Sequence, residues 1–326
     1  MKKPLVVIFG GSGFLGRDTV RAFANAGWRI KVGVRHPNLA HYLPPMGTVG
    51  QILVMKTDAR DADAVAAAVK GADAVVNLVG ILNPGGGQNY HEAHVEVPRN
   101  IGRAAKAAGV GTVIHVTTMG IGPDSESAYA RSKAEGEIAL RAEFPEATLI
   151  KPSLVFGPED GFFNKFANLA RFTPVLPLIG GGNTKFQPVF VGDVAQAILK
   201  CATDPATRGG AYELGGPNVY TFKQMLEIIL RESGRRRILV PIPFWAATIK
   251  SWFLQFLPGK LLTPDQVKFL RTDNVVAPGA RTLADLGIAP DSLEAVLPSY
   301  LWRFRPKGQY DEVVREKVSA SPAGMR

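Results

Sequence analysis

A single cysteine, Cys201, occurs in the 326 residues. That excludes an internal disulfide and suits a reducing compartment. The five histidines supply no metal set either. His91 and His94 stand three apart, without thiolates or a His-Glu-x-x-His pattern beside them. No metal is expected, and the pair reads as a polar loop-to-helix junction. Long apolar runs are also missing. A membrane span needs about 18 continuous apolar residues. The best candidate, Phe244 to Leu257, carries Lys250 and Gln255 and would form a helix only about 21 Å long. Leu5 to Phe9 follows two lysines, as in a signal peptide, but it is too short and runs straight into glycines, so it is a first strand. Fixed-period repeats and low-complexity tracts are absent. With 46% hydrophobic and 20% charged residues, the composition is that of a soluble globular protein.

One more absence is local. Between Asp18 and Asp58 there is no Asp or Glu at all. Its meaning depends on what surrounds it. Leu5 to Phe9 is a short strand, and Phe14 to Ala26 is a helix by the spacing of Leu15, Val20 and Phe23. Between them lies Gly10-Gly11-Ser12-Gly13-Phe14-Leu15-Gly16. Gly10 and Gly11 allow a tight turn, Gly13 admits a pyrophosphate to the backbone, and Gly16 lets the helix pack on the sheet. The N–H groups at the helix start then face the phosphates. Further strands are predicted at Arg29 to Val34, Gln51 to Met55, Ala74 to Val79 and Thr112 to Val116. Helices are predicted at Ala62 to Val69 and Glu96 to Ala108. This alternation gives an α/β fold, a Rossmann-type doubly wound parallel sheet.

An NAD site usually offers an acid to the ribose 2′-OH about 20 residues beyond the loop. Here the second strand ends in Arg35-His36. Arg35 is placed for a 2′-phosphate, with Arg17 as a second contact. The expected cofactor is NADP(H), with NAD(H) the lesser alternative.

After the fifth strand come Thr117 and Thr118, then Tyr129 and Lys133 at the start of a helix. Positions i and i+4 share a face. An ammonium beside the phenol is expected to lower its pKa and make Tyr129 an acid or base. Thr118, or Thr117 beside it, supplies a hydroxyl to polarise a carbonyl.

The glycine loop, Thr57 to Asp61, Asn77 to Gly80 and Tyr129-x-x-x-Lys133 together resemble the short-chain dehydrogenase/reductase superfamily in its extended or atypical branch. The resemblance implies that Asp58 and Ala59 meet the adenine. It places Asn77, Leu78, Val79 and Gly80 along the cofactor, with Lys133 and Pro152 as further contacts. Lys151 to Ser153, Phe156 to Asp160, Phe162 to Phe166, and Gln187 to Val189 are similar to the nucleotide-binding accessory subunit of mitochondrial complex I. So are Met46-Gly47 and Asp58 to Asp61. That family implies a tightly held NADPH, docking beside the quinone-reducing arm, and no established turnover.

The second half is predicted to form a smaller C-terminal, substrate-type lobe. Helices are expected at Phe162 to Arg171, Asp193 to Cys201 and Thr221 to Glu232, with a turn at Gly180 to Asn183. The division is 1–158 for the nucleotide-binding domain with 186–205 returning to it, 159–185 and 206–302 for the lobe, and 303–326 for a tail. Net charge is +10, and eight Lys or Arg against two acids fall between Arg235 and Arg281. Trp245 and Trp252 beside Arg235 to Arg237 suit an anionic membrane interface, or else a helix covering the cleft or an oligomer contact. Nucleic acid is not an expected partner, since the basic residues lack a recognised motif.

Two functions stay open. One is an NADP(H)-holding accessory subunit of complex I, peripheral on the inner face of the cytoplasmic or mitochondrial inner membrane. The other is an oxidoreductase or epimerase for a sugar nucleotide or an isoprenoid or quinone-related substrate, using Tyr129, Lys133 and Thr118. An enzyme requires a polar, open pocket beside Tyr129; a holder is free to fill it.

Overall fold

The computed structural model describes residues 3–254 and 263–308. Phe244 to Leu257 and the tail from Arg303 therefore lie partly outside the described residues. The first half runs β1 (Leu5–Phe9), α1 (Phe14–Asn25), β2 (Arg29–Val34), β3 (Ile52–Lys56), α2 (Ala62–Val69), β4 (Ala74–Asn77), α3 (Val97–Ala107), β5 (Thr112–Val116), α4 (Ala128–Glu143) and β6 (Thr148–Pro152). Then come β7 (Val155–Phe156), α5 (Phe163–Phe172), β8 (Val175–Ile179), β9 (Lys185–Phe186), β10 (Val189–Phe190), α6 (Val191–Thr203) and β11 (Ala211–Leu214). The last named elements are β12 (Tyr220–Thr221), α7 (Phe222–Glu232), β13 (Ile238–Ile242), α8 (Phe244–Leu254) and α9 (Pro264–Phe269).

Seven strands form one sheet in the order β11-β6-β5-β4-β1-β2-β3, every pair parallel. This is the Rossmann-type doubly wound arrangement. The chain winds outward from β1 to β3, then returns to place β4 on the other side of β1. The carboxyl ends of β1 and β4 thus frame the crevice where such sheets take ligands. β1 shows why the sheet is covered on both faces. Val6 and Ile8 belong to one core with Val20, Phe23 and Ile198, under α1 and α6. Val7 and Phe9 belong to another with Val65, Ile101 and Leu140, under α2, α3 and α4. A run apolar at every position is what two-sided burial demands.

A third core gathers Phe156, Phe163, Leu176, Phe222, Leu226 and Leu297 beyond the sheet. Asp160 anchors it: its carboxylate accepts from the N–H groups of Phe162 and Phe163 at the start of α5 and from the Tyr300 hydroxyl.

One helix departs from expectation. The segment predicted from Glu96 begins earlier, as a π turn at Glu92–Glu96 in which the Val97 N–H reaches the Glu92 carbonyl. Pro98 is the cause. It has no N–H for the His94 carbonyl, and its ring crowds the carbonyl four residues back. β4 likewise stops at Asn77, because the Val79 N–H turns to the Asn77 Oδ1 at 3.0 Å.

Candidate functional site

The glycines of the first loop differ in what they allow. Gly10 has φ +80°, and a Cβ there would lie 2.9 Å from the Leu78 carbonyl carbon. The loop after β1 and the loop after β4 therefore touch. Gly16 packs α1 on the turn itself, since a Cβ would be 2.5 Å from the Gly10 oxygen. Gly11 serves packing rather than the turn: its φ is ordinary, and a Cβ would strike the Val32 side chain at 2.6 Å. Gly13 is exposed and meets only the Gly10 oxygen, at 3.4 Å. It caps α1 without a side chain, so the first N–H groups of the helix, from Phe14, Leu15 and Gly16, face outward. The Ser12 carbonyl is clamped by the Tyr42 hydroxyl at 2.6 Å. A loop with this floor and this open edge fits a pyrophosphate.

Around the loop, Arg35 is exposed after β2, and its charge reaches the Asp58 carboxylate. Arg17 is otherwise engaged. Its guanidinium lies 4.4 Å from the Tyr42 ring centroid and pairs with Glu159, while its Nε is buried without a partner. Asp58 is held by Arg60, with the nearest contact at 2.6 Å, and its carboxyl sits below the usual range for that reason. Ala59 is buried behind it. Leu78 and Val79 are half-buried and Gly80 is exposed.

On α4, Lys133 is 5% exposed, and its Nζ makes no hydrogen bond or ion pair among the described residues. A Cβ on Gly80 would lie 2.9 Å from that Nζ. Burial pushes the ammonium down to about 8, and the Glu137 carboxylate offsets part of this. An unpartnered buried ammonium beside an open backbone is a site wanting hydroxyls. Glu137 itself pairs with Lys151 at 2.7 Å, leaving its other oxygen buried and bare.

Two neutral histidines surround this lysine. Burial and the Lys133 charge push both down to about 3. His94 Nε2 accepts from the Ile81 N–H at 3.1 Å, so Nδ1 carries the proton and donates to Ser132 Oγ at 2.8 Å. Asn77 donates to His115 Nδ1 at 3.1 Å, so the proton there is on Nε2, buried without a partner.

Tyr129 corrects an expectation. Its phenol is pushed up, not down, and burial is the cause. Three rings pack edge-on against this half-buried side chain, with centroids at 6.1 Å for Tyr90, 5.5 Å for His94 and 5.7 Å for Phe269. Sharing a face with Lys133 does not bring the ammonium's field to the oxygen: burial and the neighbouring Tyr90 phenol set the shift. Of the two threonines, Thr118 donates to the Pro152 carbonyl at 3.3 Å. The Thr117 hydroxyl is buried with no partner. Pro152 is buried at the end of β6.

Sequence reasoning missed the closing element. α9 sends Asp265 onto the N-terminus of α4, where its carboxylate accepts from Ser127 Oγ at 2.9 Å and from the N–H groups of Ala128 and Tyr129 at 2.7 and 3.1 Å. The same helix carries Phe269. Thr263 and Gln266 form a capping box for α9, and Thr-Pro-Asp-Gln is a legible helix start. Where that helix docks is not. Among the described residues no group of His, Cys, Asp and Glu is placed to hold a metal ion.

A seven-stranded parallel sheet with a glycine loop at its switch point defines a dinucleotide-binding class, and comparison with known proteins places the chain within it. The chain belongs to the NAD dependent epimerase/dehydratase family, whose sequence profile matches residues 6–215. Over 96% of its length it is 33% identical to the mitochondrial NADH dehydrogenase [ubiquinone] 1 alpha subcomplex subunit 9 of Arabidopsis thaliana, covering 81% of that protein. It is 30% identical to the mitochondrial NADH-ubiquinone oxidoreductase 40 kDa subunit of Neurospora crassa, over 93% of this chain and 80% of that one. Among solved structures, an NADPH-dependent quinone oxidoreductase from Escherichia coli in complex with NADPH shares the fold. Its TM-score is 0.71 at 21% identity, over 91% of this chain and 98% of that one.

Proposed function

We propose that the chain holds NADP(H) as a fixed part of its structure and serves NADH:quinone oxidoreductase, complex I, as an accessory and assembly subunit. It sits peripherally on the inner face of the membrane; no helix among the described residues is long and apolar enough to cross one. The observation that carries this reading is the closure of Tyr90, His94 and Phe269 around Tyr129. A reductase must bring a carbonyl to that phenol. Here three rings crowd the half-buried side chain and narrow the approach to it. The names of the relatives at 30–33% identity point the same way.

The N–H groups of Phe14, Leu15 and Gly16 would hold the pyrophosphate. Arg35 would meet the 2′-phosphate, with Arg17 behind it. Asp58 and Ala59 would lie at the adenine, and Leu78, Val79, Gly80, Lys133 and Pro152 along the ribose and nicotinamide. When bound, the nicotinamide supplies a hydride donor or acceptor. In the same reading, residues 1–158 with 186–205 form the nucleotide-binding unit, joined by β11, which pairs with β6 at the edge of its sheet, and the rest of 159–185 and 206–302 forms the lobe that covers it.

Two results test this. Arg35→Ala is expected to weaken NADPH binding roughly 10- to 100-fold, as befits a charge-assisted contact, and to leave NADH binding nearly unchanged. Equal loss for both nucleotides would remove Arg35 from the 2′-phosphate. Second, solubilised native membranes are expected to show the chain co-sedimenting with NADH dehydrogenase activity, with NADPH identified in the same fraction. Tyr129→Phe should alter neither. The rival oxidoreductase or epimerase reading gains if bound NADPH is oxidised stoichiometrically by a carbonyl compound and Tyr129→Phe abolishes that oxidation.

A further inference from the structure

α8 is built inside out. Trp245, Ile249 and Trp252, at i, i+4 and i+7, are 68%, 55% and 61% exposed, while Ala247 and Ser251 are 2% and 0% exposed. A helix in contact with water on its outer side carries the opposite pattern. The strand leading into it continues the theme. Ile238 and Val240 stand exposed on one face of β13, and exposed Arg236 precedes them at the same two-residue spacing. Among the described residues β13 is paired with β8 alone, Ile238 opposite Val175, which is also exposed. Half of the large apolar side chains exposed among the described residues belong to α8, this ribbon and the adjoining end of α5.

The charge on this face has one sign. In the sequence no acid occurs between Glu232 and Asp265, while Arg235, Arg236, Arg237 and Lys250 do. Arg235 and Arg237 are anchored through Nε by the carbonyls of Phe304 and Ala170, not by carboxylates. Arg237 and Arg171 crowd Arg235 enough to lower its pKa beyond the effect of burial. Among the described residues, therefore, no acid pairs with them.

We propose that this face rests on the surface of an anionic bilayer, with the Trp245 and Trp252 rings at headgroup depth and the arginines on lipid phosphates. Projecting indoles on a helix beside a strip of like charge match a flat, negatively charged, partly apolar surface. A protein partner would need acids opposite every arginine and a groove for each ring. The inference builds on the peripheral placement proposed above, and it stands or falls by its own measurement.

That measurement is flotation of the purified full chain with vesicles of phosphatidylcholine alone, or with about one third phosphatidylglycerol. Wild type is expected to float with the anionic vesicles at low salt, and to stay behind with the neutral ones. Arg236→Gln/Lys250→Gln and Trp245→Ser/Trp252→Ser should each reduce the bound fraction roughly 10-fold or more. Both double variants are expected to keep wild-type melting and NADPH binding, which shows that they fold. No flotation with anionic vesicles, or equal flotation of wild type and both variants, overturns the proposal. So does release of the tryptophan variant from the respiratory complex when wild type ignores vesicles, because the face is then a protein interface. Flotation without co-sedimentation leaves the surface standing and sinks the accessory-subunit reading.

Discussion

Gly136→Ala is expected to lower the melting temperature by roughly 5–10 °C, the equivalent of about 3 kcal/mol. The origin is forty residues upstream. Pro98 gives no N–H to the His94 carbonyl and turns it out of the helix. The carbonyl points at α4, where a Cβ on residue 136 would lie 1.8 Å from the oxygen. That is a collision with backbone, which cannot rotate away as a side chain can. Either α4 lifts from α3 or the π turn is remade. Both alternatives move His94, which holds the Ile81 N–H and Ser132 and stacks on Tyr90 at 5.4 Å. Loss of nucleotide should therefore accompany loss of stability. Pro98→Ala restores an N–H that can draw the carbonyl back, so the double variant is expected to melt well above Gly136→Ala alone. Melting curves of the four proteins test the argument; a Gly136→Ala protein that melts within a degree of wild type defeats it.

What the sequence disclosed about this region followed from period and spacing. The glycine loop was legible because a five-residue apolar run and a 3.6-residue pattern frame it. Tyr129 and Lys133 were legible because four residues make a helical turn. The doubly wound parallel sheet was legible from the alternation of strands and helices. Spacing tells which side chains share a face, however, and not what lies above that face. Asp265 and Phe269 reach α4 from more than 130 residues away, and no local pattern encodes that contact. The field at Tyr129 was misjudged for this reason: pairing with Lys133 was visible, the rings of Tyr90 and Phe269 were not. The reach of Arg17 was similarly hidden, because Tyr42 and Glu159 come from separate loops. The π turn is a middle case. A proline two residues into a predicted helix signals a disturbed first turn, but only the structure shows the displaced carbonyl accommodated by a glycine on the next helix.

Lys133→Met is expected to make the protein more stable and a poorer nucleotide binder. Its ammonium is almost wholly buried and brought down to about 8 by desolvation, against about 10.4 for an unperturbed lysine. At neutral pH the folded protein therefore holds a charge that burial disfavours, at a cost of about 3 kcal/mol. Methionine fills similar volume without that cost, so melting should rise by several degrees. The pH dependence gives the sign. Between about pH 8 and 10.5 the unfolded chain keeps the lysine proton while the folded one releases it, so wild-type stability climbs with pH. Below that window the penalty is complete, and above it the penalty is gone. The gain from Lys133→Met should be largest at pH 7 and should fade as pH rises through this range. Binding should change the other way, with NADPH affinity reduced roughly 10- to 100-fold through loss of charge-assisted hydrogen bonds to the ribose. A group kept at a cost to the folded state is intelligible if it completes a ligand site. A methionine variant that is less stable than wild type, or that binds NADPH equally well, would show that Lys133 is instead a structural part of the α4 packing.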